Sequence, residues 1–414
     1  MDAKVHRYIV ERAIEFLPEK VRDYWSREFE TMRAASEYPD IYNNPNSVSP
    51  KLAVMEPDWY ELLHVKSEDK EYLLHTALDP SRLTETYPKL TSAYISKIMI
   101  AFKQNNTKKV AKLMGCLSHY IGDTGQPAHV VSDREIAELF PYVQNGYMVY
   151  HEAVESILGR AENEYQSQLL GLTLVEINWA VIQKLEHLKS VSRAQEILIL
   201  NAIYYGEFEK AQEPANKAVQ ACVELFSDIL YSFYCIHNSF FDENERNRLS
   251  KLDLSELIPV NSFCDMMYGF KPLIGVHPDF SKKKGLTYKL VSFDLGIGEQ
   301  VNGIALLPNM APGYKKSRNA FAEYNIPAGT YKSLTAIVGL NHKCENGTEC
   351  IFEIWLDDNL AYRSKALGDK TTGEQIKLPL KDSSKIVLLS KDARNPPCQT
   401  EFFYPIWGNV TLHR

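Results

Sequence analysis

Two histidine–acid pairs share one spacing, His119 with Asp123 and His151 with Glu155. At positions i and i+4 the members of each pair stand on one face of a helix, so two metal-competent side chains point the same way. Within KKVAKLMGCLSHYIGDTGQPAHVVSD (108–133), Gly125 and Pro127 break the helix and turn the chain, which brings His129 close behind the first pair. Imidazole and carboxylate are the ligands that zinc takes in catalytic sites, and a cluster this rich has capacity for more than one ion. A lone histidine is more often a hydrogen-bonded core residue. Two spaced pairs with a third histidine between them favour a metal, and on spacing alone a purely structural cluster stays open as the alternative.

The elements that must hold these residues are helices. From Met1 to about Leu249 the apolar residues recur every three to four positions, as in Ile9, Val10, Ala13, Ile14 and Leu17, or Ala218, Cys222, Leu225, Ile229 and Phe233. After Leu252 the pattern changes to short apolar or alternating runs, SLTAIVGL (333–340), CIFEIWL (350–356) and KIVLLS (385–390), separated by Gly, Pro, Asn and Asp. The spacing therefore predicts a multidomain chain, with an all-α domain over 1–248 followed by an all-β sandwich over 252–414. FFDENERNRLSKLD (240–253), polar and without an apolar stripe, reads as the linker. A length of 414 residues leaves each domain enough chain to bury its own core.

Composition narrows the partners. A net charge of −7 disfavours stable binding of long nucleic acid, whose protein footprint is normally basic. No run reaches the roughly 18 uninterrupted apolar residues that cross a bilayer, so membrane contact is expected to be peripheral only. No signal peptide is visible, because Lys4, Arg7, Glu11, Arg12 and Glu15 interrupt the stretch that would have to be apolar. Cys116, Cys222 and Cys235 lie in apolar helical stretches and read as buried thiols, whereas Cys344 and Cys350 flank the polar segment ENGTE. An oxidising compartment would let that last pair bridge a hairpin, and a reducing one would not.

The segment HYIGDTGQPAH (119–129) resembles the HYxGDxxxPxH signature of the zinc-dependent phospholipases C and the related single-strand-specific zinc nucleases, with HxxxE following at the expected distance. HRYIVERAIEFLP (6–18) is similar to that superfamily's first helix with its N-terminal histidine. PDIYNN (39–44) resembles the segment that supplies an early aspartate, and LLHTALDP (73–80) a short segment that supplies a histidine. The resemblance implies an all-helical domain with up to three zinc ions in a cleft. It implies one site from His119, Asp123, His75 and Asp40, and a second from His129, His151 and Glu155. Asp123 would bridge to a third ion, held also by His6 and by the amine and carbonyl of the N-terminal residue, here Met1. Asp58, Glu61 and His64 compete for the early ligand places.

The activity implied is hydrolysis of a phosphodiester by metal-activated water, with Asp40 taking the water's proton. No GxSxG elbow, P-loop, helix-opening GxGxxG or HExxH supplies a rival chemistry. The expected substrate is a phospholipid, cleaved to diacylglycerol and a phosphorylated head group; a single-strand zinc nuclease or nucleotidase is the alternative. Tyr38, Tyr42, Trp59 and Tyr60, near the early ligand segments, read equally as core aromatics and as a stacking or choline-caging wall. In the second half LDLSELIPVNS (252–262), AEYNIPAGTYKSLTAIVGL (322–340), FEIWLDDNLAYRS (352–364) and the closing segment with Trp407 resemble the NPCBM carbohydrate-binding modules. That resemblance implies a galactose-binding-like sandwich with a glycan or cell-surface ligand, and it favours a secreted or cell-surface setting. EFFYPIWGN (401–409) lacks the Asp-His pair usual there, which separates this chain from the modules with a complete sugar site. A degenerate, non-catalytic binding protein is the reading from another class.

Overall fold

The computed structural model describes residues 3–40, 80–131, 133–139, 146–263, short stretches within 273–308, 319–341, 348–393 and 405–414. Met1, Tyr42, Asp58, Trp59, Tyr60, Glu61, His64, His75 and Cys344 lie outside the described residues. The chain divides into two compact units, Met1–Glu245 and Arg246–Arg414.

In the first unit the described α-helices are α1 (Ala3–Glu15), α2 (Glu19–Ser26), α3 (Phe29–Ala35), α4 (Pro80–Lys103), α5 (Thr107–Gly125), α6 (Asp133–Leu139), α7 (Gly146–Ser156), α8 (Leu174–Tyr204) and α9 (Gln212–His237), and α10 (Glu243–Arg248) runs across the division between the units. The centre is α5. Asn106 caps it by accepting from Lys109 N at 3.0 Å, and from Val110 to Gly125 every residue is buried. A helix apolar all round must be enclosed by others, and α1, α3, α4, α8 and α9 all pack on it. Gly115 sets the closest approach, since a Cβ there would lie 2.2 Å from the Met32 carbonyl of α3. The stretch Phe208–His237 is long and apolar enough to cross a membrane, yet 83% of its 18-residue apolar window is buried, as in the core helix of a folded domain.

An extended segment, 157–172, is fastened to α9 by polar contacts in the interior. Buried Asp228 accepts from the Tyr165 hydroxyl at 3.0 Å and from Gln168 N at 2.7 Å, and Lys184 Nζ lies 3.2 Å from its other oxygen. Leu170 N donates to Ser232 Oγ at 2.8 Å. The segment then enters α8 at the N-cap Thr173, whose hydroxyl accepts from Glu176 N while Glu176 reaches back to accept from Leu172 N, the residue before the cap.

The second unit is built on two antiparallel sheets. One runs Glu374–Pro379, Ser333–Leu340, Pro405–His413, Gly303–Ala305 and Leu273–Ile274, with Lys251–Asp253 also beside Pro405–His413. The other runs Asn359–Arg363, Glu349–Leu356, Lys385–Asp392, Asn319–Asn325 and Asn261–Phe263, with Leu367–Gly368 also beside Glu349–Leu356. Burial alternates strictly along Lys385–Asp392, as a strand with one face in a core requires. Trp407 of the first sheet meets Phe352 of the second edge-on at 5.4 Å and donates Nε1–H to Ser390 Oγ of the second at 3.1 Å, so the sheets share one core. Cys350 is buried there, as Cys116, Cys222 and Cys235 are in the helical unit. The polar stretch read as a linker contains structure of its own. Its first part holds α10, and Lys251–Asp253 pairs with Thr411–His413, a partner too distant in sequence for a local reading to supply.

Candidate metal centre

Side chains from α1, from α5 and from the turn that follows α5 converge on Asp123. Its carboxylate sits near the end of α5 and is almost completely buried. Oδ2 lies 3.2 Å from His119 Nε2 one turn earlier. Oδ1 lies 3.5 Å from His6 Nε2 of α1 and 3.6 Å from His129 Nδ1, which the turn after Gly125 presents. An anion buried among three imidazoles has charge to share with them or with a cation held between them.

The i, i+4 spacing of His119 and Asp123 puts both on the same side of α5, and a contact from α3 fixes the histidine's orientation. His119 Nδ1 is 2.8 Å from the carbonyl of Ser36. A carbonyl can only accept, so Nδ1 carries a proton, and Nε2 is the nitrogen left to offer a metal; it faces Asp123 and Asp40, whose Oδ1 is 3.6 Å away. Ser36 is the residue that ends α3, so the same helix terminus that orients His119 also leads the chain on to Asp40. Asp40 is the exposed member, at 46%.

His6 stacks on His119 with 4.0 Å between ring centroids. Burial, then the neighbouring His119, hold its pKa well below the ordinary imidazole value, with Asp123 opposing them. It is therefore neutral, the form that ligates a metal. Among the described residues neither ring nitrogen of this fully buried histidine has a hydrogen-bond partner. Such a group is expected where an ion completes the site. His6, Asp40 and His119 each offer an atom within 4.8 Å of the others.

A second group lies beside the first. His129 Nε2 and His151 Nε2 are 2.9 Å apart with their rings nearly parallel, and Glu155 Oε2 is 3.7 Å from His151 Nδ1. These three residues also bring their atoms within 4.8 Å of one another. Burial lowers the His151 pKa, against the pull of Glu155. The loop and α7 are held together by a shared apolar cluster in which Ala128 and Val131 meet Tyr150 and Val154.

The structure thus brings together His6, Asp40, His119, Asp123, His129, His151 and Glu155. The grouping by sequence set His6 apart with Asp123 at a third ion, whereas here His6 contacts Asp123 and also clusters with Asp40 and His119. Met1 and His75 fall outside the described residues. Sequence reasoning missed the Ser36 carbonyl, since a backbone acceptor leaves no residue type to read. It also passed over Gly122, which the signature contains: a Cβ there would lie 2.8 Å from His6 Nδ1. The donor set is imidazole and carboxylate with one exposed acid, which suits zinc with open coordination positions.

A sequence model of the family described as zinc dependent phospholipase C matches residues 5–232, and one described as the NPCBM/NEW2 domain matches residues 315–413. No curated protein sequence matches the chain. Among solved structures, the alpha-toxin of Clostridium perfringens from avian strain SWCP is similar at 13% identity and TM-score 0.34, over 99% of this chain and 97% of that one. The CBM51 module of Clostridium perfringens GH95, solved with methyl-galactose, is similar at 19% identity and TM-score 0.29, over 39% of this chain and 99% of that one. The CBM51-2 and INT domains of Clostridium perfringens ZmpB are similar at 15% identity and TM-score 0.29, over 40% of this chain and 31% of that one, so the match spans about a third of that chain.

Proposed function

Because the chain belongs to the zinc dependent phospholipase C family, we propose that it is a phosphodiester hydrolase that cleaves a phospholipid into diacylglycerol and a phosphorylated head group. The observation that carries this reading is Asp123, buried within 3.2–3.6 Å of His119, His6 and His129 and beside the His129–His151–Glu155 group. His6, Asp40, His119 and Asp123 are the residues proposed to hold zinc on one side, and His129, His151 and Glu155 on the other. His75 and the N-terminal Met1 are proposed to complete a set of up to three ions.

Zinc bound there would supply Lewis-acid polarisation of the phosphoryl oxygens and a water acidic enough to ionise near neutral pH. The protein's own residues do the rest. Asp123 keeps negative charge at the centre of the imidazoles and fixes their spacing. The Ser36 carbonyl holds His119 in one tautomer. Asp40, open to solvent, accepts the attacking water's proton at a carboxylate oxygen. The closely packed interior behind α5 keeps bulk water from the back of the site.

The second unit is proposed to bind a glycan or cell-surface ligand, which would raise the effective substrate concentration without adding a catalytic contact. Contact with the bilayer is peripheral in this reading. Incubation of the full chain with phosphatidylcholine vesicles and, separately, single-stranded DNA, with and without chelator, tests it. Chelator-sensitive diacylglycerol and phosphorylated head group are expected. Chelator-sensitive nucleotides without lipid products would move the protein to the nuclease reading, and no product from either would leave a binding protein.

A further inference from the structure

α8 runs behind the loop that carries His129, and two consecutive residues of this helix take hold of the loop at opposite ends. α5 ends at Gly125, whose carbonyl is among those a helix leaves without an intrahelical partner. Ser192 Oγ donates to that carbonyl at 2.9 Å in a fully buried setting. Gly125 is also the only residue type that fits there, because a Cβ would lie 2.0 Å from Cys222 Sγ of α9. The chain then turns through Pro127, which has no N–H to continue the helix. Gln126 N and His129 N close the turn on Asp123 O and Gln126 O at 3.1 and 2.9 Å. At the far end Arg193 Nη1 reaches the Val130 carbonyl at 3.5 Å, and Nη2 pairs with Glu135 of α6.

His129 sits between these two grips, and each of its ring nitrogens faces another candidate ligand. Nδ1 faces Asp123 at 3.6 Å and Nε2 faces His151 at 2.9 Å. A site of this kind tolerates only about 0.5 Å of misplacement. Among the described residues neither Ser192 nor Arg193 hydrogen-bonds a candidate ligand side chain, so their influence passes through the backbone of the loop. We propose that Ser192 and Arg193 are positioning residues that aim His129, so that zinc affinity of the His129–His151–Glu155 group is set from α8.

The inference rests on the proposed zinc site, and one titration separates the two. Full-length chain is stripped of metal and titrated with zinc against a chromophoric chelator, as wild type, His151→Ala, Ser192→Ala, Ser192→Thr and Arg193→Gln. His151→Ala identifies the binding class that belongs to the second group. That class is expected to weaken about 10–100-fold in Ser192→Ala and Arg193→Gln, the range for losing an outer partner of a ligand, with Ser192→Thr restoring it and the other class moving less than about twofold. Unchanged affinity in both variants, or equal weakening of both classes, overturns the inference while the site stands. Absence from the wild type of any class that His151→Ala removes overturns the site assignment itself, and the inference with it. Arg193, more than half exposed, carries the test alone if Ser192→Ala does not fold.

Discussion

His6 and His119 lie with their imidazoles stacked, planes 18° from parallel and centroids 4.0 Å apart. The stack exists because α1 meets α5 at Gly122, where no side chain intervenes. Gly122→Ala would set a methyl 2.8 Å from His6 Nδ1 and 3.0 Å from Cε1. The ring must then move, at an overpacking cost of about 1–3 kcal/mol. Lower zinc content by mass spectrometry and a lower urea midpoint are expected together; full zinc occupancy in the variant would mean that His6 is not a ligand.

Asp123→Asn keeps the shape of the hub and removes its charge. The three histidines around it lose the anion they share, so bound zinc should fall and chelator-sensitive hydrolysis should drop by ~100-fold or more, beyond the range found for outer partners of ligands. Metal analysis and a vesicle assay check this on the same preparation. Wild-type stability should also fall on chelation, by about 2.7 kcal/mol where free zinc stood at 100 times the dissociation constant. Asp123→Asn should respond much less to the chelator.

Asp228 gives a pH signature away from the metal site. Burial pushes its carboxyl up to about 6, against Lys184, the Gln168 N–H and the Tyr165 hydroxyl. An acid raised in the folded state binds its proton more tightly there than in the unfolded chain. Stability is therefore unaffected below about pH 4, falls as pH rises toward 6, and stays flat above. A shift of about 2 units amounts to ~3 kcal/mol. Urea unfolding between pH 4 and 7 should show this fall in the wild type and a shallower one in Asp228→Asn. Equal slopes would show that the polar contacts outweigh burial.

Trp407 fills the interior of the sandwich with no exposed surface. Trp407→Phe loses the bond to Ser390, about 1 kcal/mol, together with part of the packing against Phe352. Calorimetry should show the second unit melting lower while the glycan-array profile stays as in the wild type. Loss of glycan binding from a folded Trp407→Phe would place the ring in a ligand contact instead of the core.

Helical period and two i, i+4 pairs pointed to His119, Asp123, His129, His151 and Glu155, because ligand spacing on a helix is a local property. The resemblance of HRYIVERAIEFLP and PDIYNN to family segments added His6 and Asp40, which spacing alone could not connect to α5. What stayed hidden is what distant backbone supplies. The Ser36 carbonyl, the grip of Ser192 on Gly125 and the pairing of Lys251–Asp253 with Thr411–His413 each need a partner far along the chain. Asp228 illustrates the same limit: in sequence it is one acid within an apolar helix, and only the returning segment with Tyr165 and Gln168 explains why burial there is tolerated.

The residues around Asp123 come from α1, the end of α3, α5, the following loop and α7, so no contiguous piece of chain holds the centre. During synthesis the first helix leaves the ribosome long before Glu155 does. It can take up its place only once α5 exists to receive His6 beside Gly122. A nascent chain without a docked first helix therefore lacks the His6–Asp40–His119 group, whereas His129, His151 and Glu155 lie close together in sequence; the zinc loading proposed for the first group waits until α1 has docked. Zinc uptake would then be a late checkpoint in the protein's maturation, passed only by molecules whose N-terminal helix has docked.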